Sequence, residues 1–371
     1  MKLLIDASRN RSGGIISYVK NFIKNFNFNK TKIKEIVICA NSNLLSQLPQ
    51  RNKVTIYNHP FLEKNIIFQL IWQFLILPKF LKKNFNILFS TSATTLCHFS
   101  KSIVFNQDLL SFGNNINKET IFFKKLRLYL IKYIQINALN KSTIAVFSSK
   151  HSKKLILKYL NKKKNNLFIY PGIDKKILAY TKKRFYNCSR NLKNKKIKLI
   201  YVSPLINYKN HLLVIKAYNN LIKKYKNLEI KFVGNYSNNL KLYNKIISTN
   251  TLISKKNFTG EILNKEVIKL IYKSDIFIFA SDVEAFGMTL AEAMAIGIPI
   301  VCSNQSSLPE ILKSGGLYFD TKKPNQLSNQ IDRLIKDYPL RKKLSIQARK
   351  LAKDYTWENH MNKFYEVLNK L

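Results

Sequence analysis

Residues 274–304 read SDIFIFASDVEAFGMTLAEAMAIGIPIVCSN. Ile276–Ala280 is an unbroken apolar run of strand length. It gives way to a loop ending in Ala285-Phe286-Gly287, and helix-forming residues take over near Met288 and run through Thr289–Ala295. A second apolar run, Ile300–Cys302, follows Pro299. Strand, loop, helix, strand within 31 residues is the repeating unit of a parallel sheet with crossover helices. The first amides of such a helix have no partner within it, so they form a ready anion site suited to a diphosphate. Gly287 lets the backbone come close to that ligand.

The same alternation extends outward in both directions. In the first half, Leu3–Ile5, Glu35–Cys39, Ile87–Ser90, Ile103–Phe105, Ile144–Phe147 and Leu167–Ile169 read as buried strands, with helices such as Ile16–Asn25 and Ile121–Asn137 between them. In the second half, Ile197–Val202, Glu229–Val233, Ile276–Ala280 and Ile300–Cys302 read as strands. His211–Tyr225 and Lys265–Lys273 read as helices. Tyr180–Lys196 is polar and basic without an apolar period. The expected organisation is a domain at 1–178, a linker at 179–196, a second domain at 197–355 and a terminal helix at 356–371 that packs back across the domains. Open α/β sheets bind ligands at the carboxyl ends of their strands, so a cleft between the two domains is the expected site.

The formal charge of +44 suggests a polyanion partner, but nine Arg stand against 55 Lys, and the Lys is spread through every segment. Readers of phosphate and base edges rely on the bidentate fork of Arg. The abundance of Lys, Asn, Ile and Phe fits an AT-rich coding bias. No specific nucleic-acid partner is expected, although such a field still favours weak association with an anionic membrane face. Cys39, Cys97, Cys188 and Cys302 have no metal-type or disulfide-type spacing. His98, His151, His211 and His360 show no metal grouping, and no Asp-x-Asp pair occurs. The run Ile66–Leu77 is too short to span a bilayer and is interrupted by Gln69 and Gln73, so it reads as a core or interfacial helix. The N-terminus turns polar after Ile5, too early for a signal peptide. Cytoplasmic placement is expected, with peripheral contact at the inner face of the membrane.

The chain has 20 carboxylates, and four lie between Asp275 and Glu292. A carboxylate beside a diphosphate repels it, so Glu284 makes sense facing neutral donors such as sugar hydroxyls. Glu292, eight residues later, is about two helical turns on. From there a carboxylate accepts both ribose hydroxyls, as acids do in dinucleotide sites. On spacing alone, two ordinary acids favoured by the helix dipole explain the pair equally well.

The string from Glu284 to Glu292, continued by Ala-Met-Ala-Ile-Gly-Ile-Pro-Ile, resembles the E-x7-E signature of the retaining GT-B glycosyltransferases of family four. The likeness continues through Ser303, Pro309-Glu310, Gly315-Gly316 and Tyr318-Phe319-Asp320. It implies a GT-B fold, with two Rossmann-like α/β/α domains facing a central cleft. It also implies that Glu284 contacts the donor sugar, that Glu292 binds the ribose, and that the amides of Phe286, Gly287, Met288 and Thr289 hold phosphate and sugar. Tyr201–His211 resembles the phosphate-binding strand and loop of the family. Lys209 stands at the position of its Lys, and Pro204 stands where relatives carry Arg. Ser12-Gly13-Gly14 resembles the glycine loop that approaches diphosphate and acceptor. Backbone near Gly234 and Ile262 would meet the base. Gln107 takes a His position, and with Asp108 it is a further candidate for contact with sugar or acceptor.

The function these readings imply is metal-independent, cofactor-free retaining transfer of a hexose from GDP-mannose or a UDP-sugar. The acceptor would be a saccharide or lipid-linked molecule of surface-polysaccharide or lipopolysaccharide synthesis. A non-catalytic GT-B sugar-nucleotide binder and a basic RNA-binding protein are the competing readings.

Overall fold

The computed structural model describes residues 1–11, 13–113, 121–161, 165–179 and 195–371. Ser12, Cys188 and most of the expected linker lie outside the described residues. The chain forms two compact units, one of residues 1–172 with 357–371 and the other of residues 173–356. Both are parallel-sheet α/β domains, as the alternation of apolar runs implies.

The first domain holds seven parallel strands: β1 (Lys2–Asp6), β2 (Glu35–Cys39), β3 (Val54–Tyr57), β4 (Ile87–Ser90), β5 (Ser102–Asn106), β6 (Ile144–Phe147) and β7 (Asn166–Phe168). Their order is β3-β2-β1-β4-β5-β6-β7. Register pairs Leu3 with Ile36 and with Ile87. The inner strands are buried on both faces, which is why they read as continuous apolar runs. The edge strand β3 is half exposed, and its sequence VTIY gave no clear strand signal. On one face, Leu3, Ile5, Phe89 and Phe105 pack with Phe22 of the helix Gly14–Asn25 and with Phe26, which caps its C-terminus. The terminal helix Trp357–Leu368 completes that core through Trp357, Met361 and Phe364, and the Phe364 ring meets Phe22 edge-on at 4.8 Å. On the other face, Leu4 and Leu88 pack against Trp72, Leu77 and Leu81. These come from the run read as a core or interfacial helix, here Ile66–Ile71, a π turn at Trp72–Ile76, and Leu77–Asn84. Among the described residues no helix is long and apolar enough to cross a membrane.

The second domain holds β8 (Ile197–Val202), β9 (Leu228–Val233), β10 (Ile276–Phe279), β11 (Ile300–Ser303) and β12 (Leu317–Phe319), in the order β12-β11-β10-β8-β9. The chain goes from β8 to its neighbour β9, then crosses β8 to begin β10 on the other side. The strand order therefore reverses between β8 and β10, which pair in register from Ile276 with Leu199 to Ile278 with Tyr201. Loops leaving the two carboxyl ends diverge at such a point and leave a crevice. The loop after β8 carries Lys209, and the loop after β10 carries Glu284. The helix Met288–Ile296 follows the second of these loops, and its residues Leu290–Ile296 are buried throughout. The sequence-read helix Thr289–Ala295 thus gains one residue at each end.

Candidate active site

The two loops at the switch point of the second domain are tied to each other. Asn210 Nδ2 donates to Ala280 O at 2.8 Å, and the Asp282 amide donates to Tyr208 O at 2.8 Å. The buried Tyr201 hydroxyl donates to Lys209 O, and burial pushes its pKa up. Asn210 adopts a left-handed conformation (φ 57°), which turns the chain from the short 3₁₀ turn Asn207–Lys209 into the helix His211–Ile222. Asn tolerates that conformation better than most residues.

This scaffold brings the Lys209 ammonium onto the Glu284 carboxylate as an ion pair. Both side chains are largely buried, 13% and 14% exposed. Lys209 Nζ also lies 5.2 Å from the Tyr208 ring centre and 6.0 Å from that of Phe279. The Glu284 backbone is fixed from the other side. Its amide donates to Ser306 Oγ at 3.1 Å, and its carbonyl accepts from Ser306 Oγ at 2.7 Å and Ser307 Oγ at 2.9 Å. Ser306 is itself left-handed (φ 57°).

Three residues after Glu284 the helix Met288–Ile296 begins at Gly287, with φ 89° and no side-chain cap. A Cβ at that position would stand 3.2 Å from Leu308 in a backbone conformation costly for L side chains. Phe286, Gly287, Met288 and Thr289 thus form an uncapped helix start. Phe286 is buried and meets Tyr355 edge-on at 5.4 Å. Two turns on, Glu292 is 6% exposed and accepts from Asn264 Nδ2 at 3.3 Å. Burial raises its pKa to about 7; the Asn264 hydrogen bond opposes that rise and the Asp174 charge adds to it. A carboxylate held near neutrality behind a helix start gains from hydroxyl donors, which favour its charged form.

Gly234 borders the same edge of the sheet. Its amide donates to Gly260 O at 3.0 Å. At φ 141° a Cβ would collide with the Ser203 carbonyl, whose carbon would be 2.6 Å away. Leu205 N donates to Asn235 O at 2.9 Å, so the loop after β8, with Pro204, is laced to the loop after β9. Ile262 follows Gly260-Glu261, and Glu261 accepts from Asn235 Nδ2 at 2.9 Å.

The first domain carries the remaining candidates. Gly13, at φ 70°, is the N-terminal flank of the helix Gly14–Asn25 and also lacks a side-chain cap. A Cβ at Gly13 or Gly14 would meet open space. Gln107 Nε2 donates to Thr91 O at 2.9 Å, which joins the ends of β4 and β5. Asp108 Oδ1 accepts from the Leu110 amide at 2.9 Å, a turn bond. Among the described residues no three His, Cys, Asp or Glu side chains gather to hold a metal ion.

Asn210, Asn264, Ser306 and Ser307 are site residues that the sequence reading did not single out. The pair of serines stands between Ser303 and Pro309-Glu310 and was within reach of the motif. Asn264 lies 28 residues before its partner and gave no signal.

The chain is similar to several known proteins. Residues 182–351 match the family described as glycosyl transferases group 1. An uncharacterized glycosyltransferase of Methanocaldococcus jannaschii is 28% identical over 270 residues, covering 69% of this chain and 66% of that protein. The O-antigen chain mannosyltransferase B of Escherichia coli is 31% identical over 102 residues, 28% of this chain and 27% of that protein. The chain therefore spans less than two thirds of the length of these curated relatives. The structure of Anabaena HepE in complex with UDP-glucose superposes over all of both chains with a TM-score of 0.75 at 15% identity.

Proposed function

We propose that this chain, whose residues 182–351 match the glycosyl transferases group 1 family, transfers a hexose from a nucleoside-diphosphate sugar to a saccharide or lipid-linked acceptor, with retention at the anomeric carbon and without a resident metal. The observation that carries the proposal is the Lys209–Glu284 pair at the switch point, set beside an uncapped helix start with the buried Glu292 two turns on. One nucleotide sugar meets all three: phosphates on the helix amides and Lys209, sugar hydroxyls on Glu284, ribose hydroxyls on Glu292.

In this reading the acceptor hydroxyl oxygen attacks C1 as the C1–O bond to the diphosphate breaks. The departing phosphate oxygen takes the hydroxyl proton. Negative charge grows on that phosphate, where the helix amides and Lys209 are already oriented, so little reorganisation is needed at the moment of reaction. Pro204 brings no cation, which leaves Lys209 as the positive group of this loop. Gly13, Gly14, Gln107 and Asp108, at the carboxyl edge of the first sheet, are the residues we propose for the acceptor. The O-antigen relative is named a mannosyltransferase and the HepE structure holds UDP-glucose, so GDP-mannose and a UDP-sugar are the donors of this proposal. The name of the O-antigen relative directs the proposal toward surface-polysaccharide chemistry.

The test is thermal unfolding of wild type and Glu292→Ala with UDP-, GDP-, ADP- and CDP-sugars. A ligand of the folded state at a hundred times its Kd adds about 2.7 kcal/mol of stability. One nucleotide class should raise the wild-type melting temperature and leave the variant unmoved. No shift with any of them sinks the proposal.

A further inference from the structure

Among the described residues, eleven of the seventeen exposed large apolar side chains fall in two stretches of the first domain, 66–75 and 121–133. Exposed apolar clusters are rare on soluble monomers and mark interaction surfaces. The helix Phe122–Lys141 is the sharper case. Phe122 is 70% exposed, Phe123 79% and Tyr133 72%, with Leu126 and Leu130 exposed between them. Positions 122, 126, 130 and 133 are spaced as one face of a helix. The helix is anchored at its other end, where Gln135, Ala138 and Leu139 are buried. Its first three turns therefore hold an apolar face outward from a fixed base.

The charged residues of this stretch share one sign. Lys124, Lys125, Arg127 and Lys132 are interspersed, and residues 121–141 contain no Asp or Glu. Lys132 is engaged inside the domain, with Nζ 3.8 Å from the Tyr159 ring centre. Arg127 lies within electrostatic reach of Arg9, which also feels Arg11. Arg11 in turn donates to the carbonyls of Leu62 and Lys64. The second apolar stretch, with Ile67, Phe74 and Leu75 exposed, starts just beyond that anchor. Residues 1–172 hold 28 Lys and Arg against five Asp and Glu.

We propose that the outward face of the helix Phe122–Lys141 docks on an anionic lipid bilayer, with Phe122, Phe123, Leu126 and Leu130 entering the boundary between headgroups and acyl chains and Lys124, Lys125 and Arg127 meeting lipid phosphates. An apolar stripe rimmed by cations is the pattern of a helix lying in the interface plane, and a negative leaflet attracts the rim. A second copy of the chain fits less well, because a two-fold contact sets the same lysines against each other. The proposal stands on exposure and charge and does not depend on the transfer reaction.

The experiment is co-sedimentation of the full chain with vesicles of phosphatidylcholine alone and of phosphatidylcholine mixed with phosphatidylglycerol. Wild type should partition onto the mixed vesicles about tenfold more strongly than onto the neutral ones, and added salt should weaken that partition. Phe122→Ser/Phe123→Ser should lower it about tenfold. Lys124→Gln/Lys125→Gln should lower it and flatten its salt dependence. Melting temperature and nucleotide-sugar shift should be unchanged in both, which separates this result from the donor site. If the double Phe variant loses stability, the Lys pair and the salt series carry the test. Absence of binding to mixed vesicles, binding unchanged in both variants, or a wild-type dimer that the Phe variant dissolves without any vesicle binding would each overturn the proposal.

Discussion

The Lys209 ammonium rests on the Glu284 carboxylate across the point where the second sheet reverses its strand order. The two residues are 75 positions apart and reach each other because their loops leave adjacent strands β8 and β10. Paired in this way, each largely buried charge is balanced by the other. Under the proposed function, Glu284 would hold a cation where a leaving phosphate needs one, and a donor would enter a site whose charges are already oriented.

Lys209→Met should lower kcat/KM by about 10²–10³-fold, the scale of removing one preorganised transition-state contact. Its effect should fall on kcat more than on KM. The double variant with Glu284→Gln should lose less than the sum of the two single losses, because the groups act as one unit. Steady-state kinetics on the four proteins of that cycle checks this, and strictly additive losses would count against the coupling.

Ser306 and Ser307 hold the Glu284 carbonyl. Replacing both by Ala removes these two hydrogen bonds and the one the Glu284 amide donates to Ser306 Oγ, each worth about 1 kcal/mol. The carboxylate should lose its fixed position, with kcat down about tenfold. The donor-induced thermal shift should persist, since the helix amides and Glu292 are untouched. Loss of both kcat and shift would instead indicate a general collapse of the loop.

Much of this arrangement was legible in the chain. The strands β8, β10 and β11 are buried on both faces and so appear as apolar runs. The motif around Glu284 and Glu292 marked the helix start between them. The edge strand β3 and the three-residue β12 were missed as strands because half-exposed or very short strands lose the apolar signature. The ion pair itself was hidden for a topological reason: the sequence does not say that β10 returns to pair with β8. Asn264 on Glu292 was hidden by the same long separation. The division of the chain into units also depends on tertiary contacts. Residues 173–179 belong with the second unit, and the terminal helix belongs with the first.

Gly234→Ala tests the packing behind the site. The new methyl group would push against the Ser203 carbonyl and the Pro204 nitrogen, backbone atoms that cannot swing aside as a side chain tip can. At φ 141° the backbone itself also disfavours any L side chain. A loss of about 2–4 kcal/mol of second-domain stability is expected. Urea unfolding measures it, and a change below about 0.5 kcal/mol would contradict the geometry.

Glu292 gives a pH signature. Its carboxyl titrates near pH 7 in the folded chain because it is buried, against about 4.3 unfolded. Between those values the folded chain keeps a proton that the unfolded chain has released. Stability therefore falls as pH rises through this window, by about 4 kcal/mol in all. Glu292→Gln stays neutral and should lack that fall, so it should melt above wild type at pH 8 and close to it at pH 4.5. Ribose hydroxyls favour the charged form, so donor binding to wild type should tighten from pH 6 to pH 8. Calorimetry in that range should show proton release on binding, absent in the variant. Identical pH profiles for the two proteins would remove Glu292 from the site.

His360 should produce the opposite slope in the first domain. It is buried between the Tyr18 hydroxyl at 3.0 Å and the Tyr170 carbonyl at 2.8 Å, ringed by Trp357, Phe22, Phe105 and Phe364. Burial lowers its pKa to about 4; the Tyr170 carbonyl opposes that fall, and the Lys363 charge adds to it. Unfolded histidine titrates near 6.5. As pH falls between these values the unfolded chain takes up a proton that the folded chain refuses, so stability is lost on acidification, by about 3 kcal/mol by pH 4. Asp6, also buried in this domain with its pKa raised, pulls the other way, so total stability is the wrong readout. The difference between wild type and His360→Gln isolates the histidine. Gln keeps a donor for the Tyr170 carbonyl and carries no titrating group, so it should be less stable at pH 7 through lost aromatic packing. The gap should close steadily as the pH is lowered toward 4, and a gap independent of pH would show that folding leaves the His360 pKa unshifted.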